Sequence, residues 1–290
     1  MNYPSISLDN FLHRKFTPGS AKRYAFAIKK YLDHTGDMIA EHARHSDIIK
    51  YISHLREIHS KKEYVLTEFY GIKNYYKWLL SCKKRLDDPT EKIKLSDLTI
   101  NYIQFQMLFT EAELELLLKR KNRYDLQRWR NYFAISLYVY QGLTSGEIAS
   151  LSIYDIDEKN QSLSVIGDRN NSRILFLKPN QFAAYKRYIE FERPFLLKQK
   201  SEILFIGKLG NCETIDGLHY LIESQRNLFP GRKLNPKTIR QSVIVNLLKN
   251  GMSLLKVQYF AGHKCPSTTE RYKQDDISHL REEMDRLDLF

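Results

Sequence analysis

Four side chains in the last third of the chain could work together on a phosphodiester: Lys237, Arg240, His263 and Tyr272. A tyrosine oxygen can attack phosphorus and hold one strand end as a phosphotyrosine, which conserves bond energy for rejoining. A phenol has a free pKa near 10, so attack at neutral pH needs a neighbouring cation or base. The phosphorane that forms gathers negative charge on its free oxygens, where arginine and protonated histidine donors stabilise it. A general acid must also protonate the departing oxygen. This chemistry asks for two arginines, a lysine and two histidine-like groups around one phosphate. Tyrosine occurs 19 times, so Tyr272 carries weight only through an ordered set. That set is Lys-Thr-Ile-Arg (237–240), Ala-Gly-His (261–263) and Ser-Thr-Thr-Glu-Arg-Tyr (267–272).

Helices must present these groups, and local signals mark where. Asn235-Pro236 before an apolar-periodic run reads as an N-cap followed by proline at the first helical position. Lys237 and Arg240, three apart, then share one face of the opening turns. A helix N-terminus favours anions, so two cations there suit a phosphate; taken alone, they read as ordinary surface cations. Asn250-Gly251 closes that helix. Ser253 is expected to cap a shorter helix ending near Gly262-His263, and Ser267-Thr268-Thr269 to cap a further one presenting Tyr272. Upstream, Thr110 and Glu113 match a capping box, and residues 131–141 form a dense apolar helix. Residues 162–166 and 173–177 read as paired strands around a turn at 167–171. Asn180 opens another helix, and residues 203–206 read as a strand.

The first hundred residues read as all-helical. Ser20 is the expected N-cap of a helix that aligns Tyr24, Ile28 and Tyr31. Ser46-Asp47 opens a second, aligning Ile48, Ile52 and Leu55. A third, at about 66–80, aligns Phe69, Ile72, Tyr76 and Leu79. Lys22, Arg23, Lys29 and Lys30 on the first helix, with Lys73 and Lys77 on the third, are candidate nucleic-acid contacts. The neighbouring aromatics Tyr75 and Tyr76 are expected in the core, since large rings usually bury. Residues 83–90 are polar and interrupted by Pro89, and they begin a linker.

A length of 290 residues allows one large or two ordinary domains. The 42% hydrophobic and 28% charged content suits a globular chain. There is no run of about 18 apolar residues to span a membrane. The opening residues lack the basic-then-apolar pattern of a signal peptide, which points to a cytoplasmic protein. Cys82, Cys212 and Cys265 are too few and scattered for a disulfide framework or a zinc site. The net charge of +12 suits a polyanionic partner, because each phosphate neutralised releases counterions. Residues 1–100 hold 18 Lys+Arg against 12 Asp+Glu, leaving 28 against 22, so each part carries +6. Both parts are therefore suited to one duplex.

The ordered set resembles the second half of the active site of the tyrosine recombinases, the phage-integrase family. Residues 137–151, L-Y-V-Y-Q-G-L-T-S-G-E-I-A-S-L, are similar to that family's first box, T-G-L-R-I-S-E-L-x-x-L. Asp155-Ile156-Asp157 is similar to W-x-D-I-D, and residues 167–173 resemble the hairpin G-K-G-x-K-x-R. The match covers nearly all of 105–275. It implies an α+β fold, mainly α with a small β-sheet. A helical, SAM-like core-binding domain would occupy 1–98, a linker 99–108, the catalytic domain 109–275 and a tail helix 276–290. It implies that Tyr272 expels a deoxyribose 5′-oxygen and forms a 3′-phosphotyrosine, with Arg240, His263 and Lys237 on the scissile phosphate and no metal or other cofactor. The implied partner is double-stranded DNA, bound by a homo-oligomer (a tetramer in the family) or in a mixed assembly with a partner recombinase. The tail stripe Ile277, Leu280, Met284, Leu287 and Phe290 would dock on its own domain or on a neighbouring protomer.

Two positions depart from the family pattern. Its first catalytic arginine falls on Thr144, which cannot make a charge-assisted pair of bonds to phosphate. The hairpin lysine falls on Asp168; a one-residue shift offers Arg169, although arginine is a poor general acid. Lys237 stands where the family more often has histidine, an accepted exchange. Removing one positioned donor costs about 10²–10³ in rate. Two losses silence the enzyme unless Arg169, Arg173, Lys178 or another cation substitutes. The leading expectation is a site-specific recombinase with an altered active site. A catalytically degenerate, DNA-binding accessory or regulator stands second, and a relative of the type IB topoisomerases third.

Overall fold

The computed structural model describes residues 7–95, 103–119, 125–167 and 171–273. Asp168, Arg169, the tail stripe and part of the expected linker lie outside the described residues. The chain divides into two compact units, Met1–Tyr102 and Ile103–Phe290.

The first unit holds α1 (Leu8–Lys15), α2 (Pro18–Thr35), α3 (Asp37–His42), α4 (His45–Ile58) and α5 (Lys62–Ser81). Helix α2 starts earlier than Ser20 suggests. Pro18 takes the first turn with Thr17 at the cap position, and the Ser20 hydroxyl instead accepts from Thr17 Oγ1 at 3.1 Å. Asp47 likewise does not open α4; it sits at N3 and accepts the Arg44 N–H at 2.9 Å. Helices α2 and α5 cross closely because position 71 is glycine: a β-carbon there would lie 2.6 Å from that of Ala27. Tyr31, Tyr75 and Tyr76 are buried in this core. The Tyr31 and Tyr76 hydroxyls meet at 2.7 Å, and Tyr76 donates to the Ala40 carbonyl at 2.8 Å, so neither buried hydroxyl is left unpaired.

The second unit contains α6 (Glu111–Leu116), α7 (Arg128–Gln141), α8 (Ser145–Ser150), β1 (Ile156–Asp157), β2 (Ser162–Gly167) and β3 (Asn171–Phe176). There follow α9 (Pro179–Arg187), a π turn into α10 (Arg193–Leu196), α11 (Ile215–Glu223), α12 (Pro236–Lys249), α13 (Leu254–Ala261) and α14 (Pro266–Glu270). The Thr110–Glu113 capping box forms at the start of α6. Helix α7 runs through the core, burying Phe133, Leu137 and Tyr138. Its first turn is held by Glu192, whose carboxylate accepts the N–H groups of Trp129 and Arg130, each at 2.8 Å. The three strands form an antiparallel sheet in the order β1-β2-β3, pairing Leu163 with Leu175 and Val165 with Arg173. The fold is thus α+β, mainly helical with one small sheet.

The strand expected at 203–206 does not form; only the isolated bridges Ser152–Ile203 and Ile206–Cys212 occur there. Side chains supplement these bridges. Tyr188 donates to the Leu204 carbonyl and accepts the Ile206 N–H, both at 2.9 Å, and Arg193 donates to the Ile203 carbonyl at 2.8 Å. The segment buries Leu204, Phe205 and Ile206, with the Leu204 and Ile206 backbone groups held by these and neighbouring partners. Among the described residues no helix is long and apolar enough to cross a membrane.

Candidate active site

Strand alternation decides what reaches the site. Ile166, Ile174 and Phe176 face outward, while Leu163, Val165 and Leu175 are buried. Period-two alternation puts Arg173 on the buried side, where its side chain is 1% exposed. Its Nη1 donates to Glu147 Oε1 at 2.7 Å. Its Nε and Nη2 are buried and have no hydrogen-bond partner among the described residues.

Glu147 belongs to the first turn of α8 and ties two features together. Its Oε2 accepts the Thr144 N–H at 2.8 Å, and its own N–H donates to Thr144 Oγ1 at 3.2 Å. Thr144 is therefore an N-cap, so a capping residue occupies the position that resembles the family's first arginine. Burial acts to raise the Glu147 carboxyl, but Arg173 and the Thr144 N–H outweigh it and hold the group below its ordinary pKa.

Arg240 lies on α12, whose start is capped as expected: the Asn235 side chain accepts the Thr238 N–H at 2.9 Å ahead of Pro236. Arg240 Nη1 donates to the Gly142 carbonyl at 2.7 Å and lies 3.8 Å from Glu147 Oε2. Nη2 donates to the Ala261 carbonyl. Gly142 caps the C-terminus of α7, and Ala261 ends α13. The guanidinium thus joins two helix C-termini, where the helix dipoles favour a cation.

Helix α13 stops at Gly262, whose φ of +67° is left-handed. His263 follows, with ring Nδ1 2.9 Å from Thr269 Oγ1. Burial first, then the charges of Arg240 and Arg173, push the imidazole pKa down to about 4. His263 is consequently neutral at pH 7 in the free molecule.

Tyr272 follows α14 rather than riding on it. Pro266 takes the first turn, so Ser267, Thr268 and Thr269 lie inside the helix instead of capping it. The Tyr272 N–H donates to the Thr269 carbonyl at 3.0 Å. Its ring packs on the cluster of Ile244, Val257 and Ala261 and stacks on His263, with centroids 6.0 Å apart and planes 15° apart. The phenol is also near enough to act electrostatically on Arg240.

Arg240, His263 and Tyr272 are therefore brought together, with Arg173 and Glu147 beside them. Lys237 is exposed in the first turn of α12 and is paired with no group among the described residues. In the first unit, Lys22, Arg23, Lys29 and Lys77 are exposed. Lys73 lies 6.0 Å over the Phe69 ring. Lys30 is engaged internally, donating to the Tyr64 hydroxyl and lying 3.8 Å from buried Glu68. Glu147 was not singled out from the sequence as a site residue. Its position three residues after a threonine cap was the available signal.

Residues 108–279 match the phage integrase family. The chain belongs to that family. Among similar proteins, tyrosine recombinase XerD of Halalkalibacterium halodurans is 24% identical over 287 residues, covering 95% of each chain. Tyrosine recombinase XerC of Pediococcus pentosaceus is 26% identical over 265 residues, covering 88% of this chain and 86% of that one. The fold of this phage-integrase member is shared with solved recombinase structures. The XerH site-specific recombinase bound to its difH substrate aligns with a TM-score of 0.71 at 19% identity, over 93% of this chain and 80% of that one. The Tn1549 transposon integrase in complex with a circular intermediate DNA aligns with a TM-score of 0.69 at 18% identity, over 97% and 100%.

Proposed function

We propose that this integrase-family protein is a site-specific DNA strand transferase whose nucleophile is Tyr272. The Tyr272 oxygen attacks the scissile phosphorus and passes its proton to a base, for which neutral His263, stacked on the Tyr272 ring, is the candidate. The bond to the deoxyribose 5′-oxygen breaks, that oxygen takes a proton from a general acid, and a 3′-phosphotyrosine remains. Rejoining reverses these steps, so no nucleotide is consumed. Arg240 binds a non-bridging oxygen with the donors its carbonyl partners leave free. His263 gains a proton, or donates one in a hydrogen bond, as the phosphate arrives. Lys237 and Arg169 are the candidate acids. Residues 1–98 serve as the core-binding domain, where exposed Lys22, Arg23, Lys29 and Lys77 contact duplex phosphates and the protein assembles as an oligomer on DNA.

The observation that carries this reading is the convergence of Arg240, His263 and Tyr272 from three separate parts of the chain. One observation favours a second reading, a silent DNA-binding accessory of an active recombinase: Thr144 is built as a helix cap where a phosphate-binding arginine belongs. The experiment begins by selecting a bound duplex from a random-sequence pool. A series of nicked versions is then incubated with wild type and with Tyr272→Phe. A denaturant-resistant protein–DNA band present only with wild type supports the strand transferase. Tight binding without a band supports the accessory.

A further inference from the structure

We infer that Arg173 supplies the second phosphate-binding guanidinium, reaching the active site from β3 in place of the arginine that Thr144 lacks. This rests on the strand-transferase reading and identifies one member of its site.

Three observations lead there. Arg173 and the Thr144 cap share one carboxylate, since Glu147 Oε1 holds Arg173 at 2.7 Å and Oε2 holds the Thr144 N–H at 2.8 Å. The guanidinium therefore lies beside the place that residue 144 occupies. It also lies against the residue before His263, because a β-carbon on Gly262 would be 2.5 Å from Arg173 Nη1. Lastly, its Nε and Nη2 are buried with no partner among the described residues. Buried donors are normally satisfied, so two orphans on one guanidinium call for an acceptor. A planar pair of N–H groups matches two phosphate oxygens.

Charge agrees. Arg173 and Arg240 carry two positive charges, Glu147 one negative, and His263 is neutral. The excess of one positive charge fits a phosphodiester monoanion. The orphaned groups are covered in the free molecule, so phosphate access requires the Arg173 side chain or the Gly262–His263 turn to shift. Arg173 then exchanges no protein partner for the phosphate, because Nη1 can stay on Glu147.

A neutral methylphosphonate at the scissile position tests this directly. It removes the charge that the guanidinium would neutralise while leaving the protein intact. Wild type, Arg173→Ala, Arg173→Lys and Arg173→Ala combined with Thr144→Arg are compared for covalent-complex formation on phosphodiester and methylphosphonate duplexes. Duplex affinity and melting temperature are measured alongside, so that misfolded variants are recognised. On the phosphodiester, Arg173→Ala is expected to fall about 10²–10³-fold, the usual effect of one lost transition-state donor. Methylphosphonate, or the added Thr144→Arg, is expected to restore most of that loss. An equal loss on both duplexes, or a change of only a few fold in a folded variant, would overturn the assignment and leave Arg173 a structural partner of Glu147. Wild type inert on both duplexes would overturn the strand-transferase reading and this assignment with it.

Discussion

The Arg173 guanidinium rests so closely against Gly262 that a β-carbon there would come within 2.5 Å of Nη1. Gly262 also holds a left-handed φ of +67°. Gly262→Ala should therefore cost about 1–3 kcal/mol from backbone strain alone. It should also displace Arg173 and His263. The expected result is a lower melting temperature and slower cleavage with duplex affinity little changed. A variant as stable and active as wild type would contradict this packing.

Arg240 spans the carbonyls of Gly142 and Ala261 with two separate nitrogens of one planar fork, a geometry that a lysine ammonium does not reproduce. Arg240→Lys should keep the charge yet lose the fork, lowering cleavage by about 10²-fold or more. It should also destabilise the fold, because a buried carbonyl left unpaired costs about 1–3 kcal/mol. Single-turnover cleavage and thermal melts check both parts. Near-wild-type rates would show that charge alone suffices.

His263 titrates low because it is buried beside two guanidinium groups. Its folded pKa, about 4, lies below the ordinary value of 6.5. The unfolded chain therefore takes up the proton first as pH falls. Stability from this site is present above about pH 6.5 and is lost as pH drops through about 4. A ring-nitrogen NMR titration should find His263 neutral at pH 6 in the free protein. Bound DNA should move its pKa upward, since a phosphate favours the charged ring. His263→Phe should flatten the stability profile across that window.

The cations of α2 should separate into two kinds. Lys22 and Lys29 are exposed, so replacing either with alanine should weaken duplex binding uniformly and reduce the salt slope by about 0.9. Lys30 is tied to Tyr64 and to Glu68, which is 3% exposed and whose Oε2 has no hydrogen-bond partner among the described residues. Lys30→Ala should therefore act mainly by destabilising the first unit. Salt-dependent binding and thermal melts distinguish the two effects.

Legibility followed locality. The start of α12 could be read from Asn235-Pro236, because cap and first-turn proline act on neighbouring atoms. The trio Arg240, His263 and Tyr272 was legible through motif order. Helix α1 ends at Phe16 with no glycine to mark its close, whereas Gly262 marks the end of the equally short α13, which is why only α13 was legible. Ser20 misled because Pro18 can begin a helix two residues sooner. Residues 203–206 looked like a strand, but their partners proved to be two isolated bridges and the side chains of Tyr188 and Arg193, supplied by tertiary structure. Arg173 was one candidate among several cations. Its burial beside Val165, its partner in the ladder, shows that it faces inward. Lys30 looked like its neighbours until α5 brought Tyr64 and Glu68 against it.

Tyr272, held against His263 and beside Arg240, is the proposed nucleophile toward DNA. The most direct test of that role is mass spectrometry of the denaturant-resistant protein–DNA complex after nuclease and protease digestion. The expected result is a nucleotide 3′-phosphate on the phenol of Tyr272. A nucleotide on another side chain, or no covalent nucleotide on a duplex that the protein binds, would contradict it.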